Sequence, residues 1–169
     1  MTILVIMGVF MLISSSRKPS QKTRSFCKNL SNAFDYPYVN RGKMSIRDLF
    51  LKANILDENS LMLIYESKGN PSKITFYNED GEESLSLLIS ANLTKERINI
   101  DTNYLKMQID FPELEILSNI LGISLDKNIT GNYIHVKSSN KNDNIAIIEF
   151  YNNKDSKIDL EIAIKKIIH

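Results

Sequence analysis

The stretch "SSSRKPSQKTRSFCKNL", Ser14–Leu30, decides how the chain is read. It sets five cations, Arg17, Lys18, Lys22, Arg24 and Lys28, within twelve residues and contains no carboxylate. Pro19 suits the first position of a helix, where a missing N–H costs nothing. From Pro19 to Phe34, the residues Phe26, Cys27, Leu30, Ala33 and Phe34 recur at a helical period and form one apolar face. At about 100° per residue, Lys18, Gln21, Arg24, Ser25 and Lys28 project from the opposite side, with Lys22 on a flank. The charges therefore stand on a packed helix, and an unmixed basic stripe of this kind suits a polyanion.

Upstream, the apolar run Ile3–Ile13 is too short to cross a bilayer, which takes about 20 residues. It also lacks the basic start and small-residue cleavage site of a signal peptide. Rich in Ile, Val and Phe, it reads as a buried central strand, with Ser14–Lys18 as the turn into the helix. Met7 and Met11 are alternative starts, and residues 1–10 become an upstream extension if translation begins at Met11.

Downstream, Asp35-Tyr36-Pro37 breaks the helix and Tyr38-Val39 starts a short strand. The loop "NRGKMS", Asn40–Ser45, follows, and Ser45 caps a second helix from Ile46 to about Ile55, with Asp48 completing a capping box. Leu61–Tyr65 and Lys73–Tyr77 read as strands around the turn "ESKGNPS", and Leu85–Ala91 as a third. In the second half Asp110 is placed to cap a helix from Pro112 to about Leu121, ended by Gly122. Tyr133–Lys137 and Asn144–Tyr151 read as paired strands. Ile158, Leu160, Ile162 and Ile164 alternate with polar residues, so the chain's last segment is a strand too. Strands interleaved with helices argue for an α/β sandwich.

Length and composition allow one domain of 169 residues, with 43% hydrophobic and 24% charged residues as in ordinary globular proteins. Residues 1–78 carry 11 Lys and Arg against 5 Asp and Glu, whereas residues 79–169 carry 10 against 15. The basic half can steer an anionic partner onto one side of the molecule. A lone cysteine, Cys27, allows no internal disulfide and fits a reducing, cytoplasmic setting; its place on the apolar helix face makes it structural. Two histidines, His135 and His169, leave little for a zinc or histidine-based catalytic site. The glycines of a P-loop are absent from "SSSRKPSQKT", so that turn reads as phosphate-contacting rather than nucleotide-hydrolysing. Ser25-x-x-Lys28, the Glu82-Glu83 pair and the sequons at Asn92 and Asn128 match chemical motifs too short to carry a function.

What does carry one is a set of three basic loops flanking strand ends. Arg17, Lys18, Lys22, Arg24 and Lys28 come from the first loop and its helix; Arg41, Lys43 and Arg47 come from the second. Lys68, Asn70 and Lys73 come from the third. Arg forks two donors onto a phosphate and Lys adds point charge, while Asn40, Asn70, Ser16 and Ser72 offer donors to phosphate or ribose oxygens. Tyr36 and Tyr38 are candidates to stack on an unpaired base, with Tyr38 favoured as core.

Read together, "LISSSRKPSQKTRSFCKNL" from Leu12, "YVNRGKMSIRDLF" from Tyr38 and "ESKGNPSKITFYN" from Glu66 resemble the Brix domain family. The resemblance is closest to its small archaeal members, strong over about residues 11–78 and weak afterwards. It implies two similar α/β halves, about 11–90 and 91–169, forming a single Brix domain over the chain. Each half would be a mixed sheet with helices, like the anticodon-binding domain of class II aminoacyl-tRNA synthetases. It further implies a non-catalytic, cytoplasmic ribosome biogenesis factor that binds pre-ribosomal RNA and assists rRNA processing and subunit assembly. No cofactor, membrane or small-molecule substrate is expected; ribosomal proteins or other assembly factors are further partners. The rival expectation is a protein-interaction scaffold within a pre-ribosomal complex that touches RNA only incidentally.

Overall fold

The structure, a computed structural model, describes residues 9–92, 100, 105–127 and 131–168. Residues 1–8, at the start of the expected first strand, lie outside it, as do Leu93 and Thr94, Asn128 to Thr130, and His169.

The first strand, β1, is Met11–Ser15, later than the apolar run suggested. α1 spans Gln21–Phe34, α2 Ile46–Ile55, β2 Ser60–Ser67, β3 Asn70–Tyr77 and β4 Glu83–Asn92. β5 (Lys106–Ile109), α3 (Ile116–Leu121), β6 (Ser124–Leu125), β7 (Tyr133–Ser138), β8 (Ala146–Tyr151) and β9 (Lys157–Ile168) follow. The strands form one sheet in the order β1-β2-β3-β4-β9-β8-β7-β5-β6. β1 runs parallel to β2, then β2, β3 and β4 alternate in direction; β5, β7, β8 and β9 repeat that scheme. β4 and β9 join the two sets antiparallel, from Ser86 opposite Ile168 to Asn92 opposite Glu161. The mixed strands of the two halves are thereby joined into one continuous nine-stranded sheet.

Strand alternation sorts the side chains between two faces. Met11, Ile13, Met62, Ile64, Ile74, Phe76, Leu87, Ile162, Ile164 and Phe150 share one core with Phe26, Cys27, Leu30 and Ala33 of α1 and Leu117 and Leu121 of α3. Leu12, Leu61, Leu63 and Tyr77 face the other way, onto Leu49 and Ala53 of α2. Burying a side chain such as Phe26 or Leu30 completely contributes roughly 1.5–3 kcal/mol.

β1 is not central, as its composition suggested, but terminal in the sheet. It is nonetheless wholly buried, because α1 and α2 cover its faces and residues 37–39 cover its free edge. Ile13 donates to the Pro37 carbonyl at 2.9 Å and accepts from Val39 at 3.0 Å, so the expected strand at Tyr38 is only an isolated bridge. Pro19 is not the first helical residue as expected: Ser20 caps α1, and Pro19 stands before the cap. The capping box of α2 is complete: Ser45 N–H donates to Asp48 at 2.9 Å and Asp48 N–H to the Ser45 hydroxyl at 3.1 Å. Pro112–Leu114 is a separate 3-10 turn without a side-chain cap, and Asp110 instead takes His135 and Gln108 as partners. Gly122 ends α3 in the left-handed conformation with φ 64°.

Candidate nucleic-acid interface

At the end of β1 the buried Ser14 and Ser15 hand the chain to an exposed turn, Arg17-Lys18, with Lys18 at φ 51°. This turn delivers Ser20 to the start of α1, where its hydroxyl accepts from Thr23 N–H at 3.2 Å. The second basic loop lies alongside. The Ser14 hydroxyl donates to the Val39 carbonyl at 2.9 Å, and Tyr38 donates to the Asn40 side chain at 3.0 Å. Gly42, at φ 53°, lets the loop reverse toward the α2 cap.

Arg41 is the most constrained of these cations. It is 7% exposed, and its guanidinium donates through Nε to Met44 O at 2.6 Å and through Nη1 to Ser15 O at 3.0 Å. Burial, followed by the neighbouring Arg17, pushes its pKa down from the ordinary arginine value. No carboxylate stands within 4.0 Å of it among the described residues. Together Arg17, Lys18, Pro19 and Arg24 on one wall and Asn40, Arg41, Gly42 and Lys43 on the other enclose a cleft of about 700 Å³. Five of those eight residues are cationic and none is acidic.

The third loop adjoins the first without lining the cleft. It is tighter than the sequence suggested, since β2 and β3 are joined by Lys68 and Gly69 alone, at φ 51° and 77°. Two successive positive φ values are those of the tight hairpin turn that matches strand twist. The Ser20 hydroxyl donates to Gly69 O at 2.8 Å, and Lys22 Nζ lies 3.4 Å from the Asn70 side chain. Glu66 Oε2 accepts from Ser20 N–H at 2.9 Å and from the Thr23 hydroxyl at 2.5 Å, holding its pKa below the ordinary carboxylate value. The anion position at the start of α1, which the sequence offered to a phosphate, is thus filled by the chain's own carboxylate.

Of the eleven expected contact residues, the cleft gathers Arg17, Lys18, Arg24, Arg41 and Lys43. Lys22, Lys68 and Asn70 stand at the adjoining hairpin. The remaining three stand away from both the cleft and the hairpin turn. Lys28 is exposed farther along α1, and Arg47 faces a depression shared with Phe50, Asn54 and Glu79. Lys73 rests its ammonium 4.3 Å from the Tyr65 ring centroid. Tyr38 is half-buried against the core, and Tyr36 donates to Leu121 O at 2.5 Å. Sequence reasoning missed Glu66, whose signal was its isolation as the one acid between Glu58 and Glu79.

Ion pairing divides the molecule as sharply as net charge. The ion pairs within 4.0 Å among the described residues are Lys137–Glu149, Lys157–Glu149 and Lys157–Glu161, and the His135–Asp110 hydrogen bond joins them in the second half. The cations of the basic half face no such partner. Among the described residues no three His, Cys, Asp or Glu side chains are grouped to hold a metal ion, and no helix is long and apolar enough to cross a membrane.

No family model matches the chain. It is 35% identical over 117 residues to a probable Brix domain-containing ribosomal biogenesis protein of Methanothermobacter thermautotrophicus, covering 69% of this chain and 73% of the relative. A protein of the same description from Methanococcoides burtonii is 41% identical over 80 residues, which span about half of each chain. Among solved structures, Mil, an archaeal Imp4-like protein, superposes with a TM-score of 0.81 at 27% identity, over 94% of this chain and 98% of that one. A probable ribosomal biogenesis protein of Aeropyrum pernix matches with a TM-score of 0.73 at 19% identity, a likeness of fold alone.

Proposed function

The chain belongs to the Brix domain family of archaeal ribosome biogenesis proteins, and from that premise we propose that its basic cleft grips pre-ribosomal RNA by the phosphates. The observation that carries this reading is the convergence of Arg17, Lys18, Arg24, Arg41 and Lys43 in one carboxylate-free cleft. A buried guanidinium without a counter-ion is costly, and a phosphate at the cleft supplies the missing charge. Arg41 is already oriented by two carbonyls, so little side-chain freedom is lost when it binds. Arg17, Lys18, Arg24 and Lys43 then neutralise neighbouring phosphates, which positions RNA without reading its sequence.

On this reading the protein is a non-catalytic, cytoplasmic assembly factor that helps rRNA processing and subunit assembly, alongside ribosomal proteins or other factors. The repeated strand scheme supports two halves of one Brix domain, about 11–90 and 91–169, each built like a class II synthetase anticodon-binding domain. The halves divide the labour: the first binds RNA, and the second carries the Lys–Glu ion pairs found within 4.0 Å among the described residues.

Fluorescence anisotropy with a pre-ribosomal transcript tests the proposal. Five phosphate contacts give a slope of about −3 to −5 for log affinity against log salt. Replacing Arg17 and Arg24 together by Glu weakens binding at least about 100-fold, since each charge-assisted hydrogen bond is worth roughly 1.5–3 kcal/mol. Equal binding by a folded double variant rules the cleft out.

A further inference from the structure

We propose that Glu66 is a positioning residue of this interface, fastening the first basic loop to the third before RNA arrives. The inference rests on the cleft being the RNA site.

Glu66 lies near the end of β2 and reaches the start of α1, 46 residues earlier in sequence for its bond to Ser20 N–H. One oxygen, Oε2, takes both Ser20 N–H and the Thr23 hydroxyl. Ser20 in turn gives its hydroxyl proton to Gly69 O, in the hairpin that displays Lys68. Arg24 Nη1 extends the knot by holding Pro19 O at 2.8 Å, so the backbone that presents Arg17 and Lys18 is tied at its exit. Strand, helix start and hairpin thus meet at one carboxylate.

Charge and geometry pull in opposite directions here. A carboxylate beside an RNA surface repels phosphate, so on electrostatics alone its removal strengthens binding. As a fastener it fixes a loop that must otherwise be ordered when RNA binds, and its removal weakens binding. Two substitutions with the same charge change separate these effects. Glu66→Gln keeps an oxygen that can accept both hydrogen bonds and removes the charge, whereas Glu66→Ala removes both.

The experiment is a salt titration of RNA affinity for the parent, Glu66→Gln, Glu66→Ala and the charge-neutral Thr23→Val, with amide exchange at Ser20 as a direct readout of the knot. Glu66→Gln binds at least as tightly as the parent, about 2-fold tighter on charge grounds. Glu66→Ala binds about 10-fold more weakly, with faster exchange at Ser20. Thr23→Val is weakened in the same direction, and it decides the matter if Glu66→Ala fails to fold. Alanine and glutamine variants that bind alike overturn the positioning role, as does parent-like affinity in Thr23→Val. A parent chain without salt-dependent RNA binding overturns the cleft reading itself, an outcome distinguishable before any variant is made.

Discussion

Arg41 donates from Nη1 to the carbonyl of Ser15 at 3.0 Å, so a buried cation of the second basic loop is fastened to the last residue of β1. Its Nε holds the Met44 carbonyl at the same time. The guanidinium therefore has two tasks, satisfying buried carbonyls and facing the cleft. Lysine cannot reproduce a planar fork. Arg41→Lys is expected to lower unfolding free energy by about 1–3 kcal/mol through an unsatisfied carbonyl. Urea denaturation checks this as a lower midpoint at unchanged slope.

Cys27 is fully buried, and burial pushes its thiol pKa up to about 12. A thiol of that kind holds almost no thiolate at neutral pH. Labelling with a disulfide reagent should proceed only as fast as the protein opens, and rapidly in denaturant. Fast labelling of the native chain contradicts the packing of α1 on the sheet.

Gly122 closes α3 at φ 64°, and a Cβ added there would stand 2.9 Å from Cβ of Val9. Gly122→Ala combines backbone strain with that clash and should cost about 1–3 kcal/mol. Replacing Val9 by Gly in the same chain removes the Cβ that it meets, relieving the clash and leaving the strain. Thermal melts of the single and double variants separate the two contributions.

Glu149 is 4% exposed in β8 and receives Lys137 at 2.7 Å, Lys157 at 3.7 Å and the Tyr151 hydroxyl at 2.5 Å. Burial alone would raise its pKa, but the Lys137 and Tyr151 hydrogen bonds and the Lys157 charge outweigh it and hold the pKa below the ordinary glutamate value. A depressed carboxylate contributes stability that is complete above its unfolded pKa and lost as pH falls through the folded one. Melting temperature should therefore decline as pH drops below about 4.5. Glu149→Gln should flatten that decline and cost about 1–3 kcal/mol at neutral pH through the lost charge-assisted hydrogen bonds, a cost kept modest because its half-exposed lysine partners regain water.

Much of this was legible in the sequence. The face of Phe26, Cys27, Leu30 and Ala33 on α1 and the alternation of Ile158 to Ile164 in β9 are local periodicities, and both stand where spacing put them. Ser45 and Asp48 gave the start of α2 by a contact within one turn. Pairings between distant segments were not legible. Nothing in β4 names β9 as its neighbour, although Ile89 sits opposite Ile164. β5, with four residues, is too short to show a period. Asp110 had the local features of a helix cap, but its carboxylate is taken by His135, twenty-five residues away. At the interface, charge type and loop order pointed to the cleft residues. Which cations would be buried, stacked on tyrosine or turned away depended on the fold.

The central claim is that the basic half meets pre-ribosomal RNA. Ultraviolet crosslinking in the protein's own cells, followed by sequencing of the bound RNA and mapping of the crosslinked peptides, tests it most directly. The account predicts RNA fragments enriched in pre-ribosomal transcripts and crosslinks concentrated in residues 14–30 and 40–47. Reads scattered over unrelated transcripts, or crosslinks confined to residues beyond 91, contradict it.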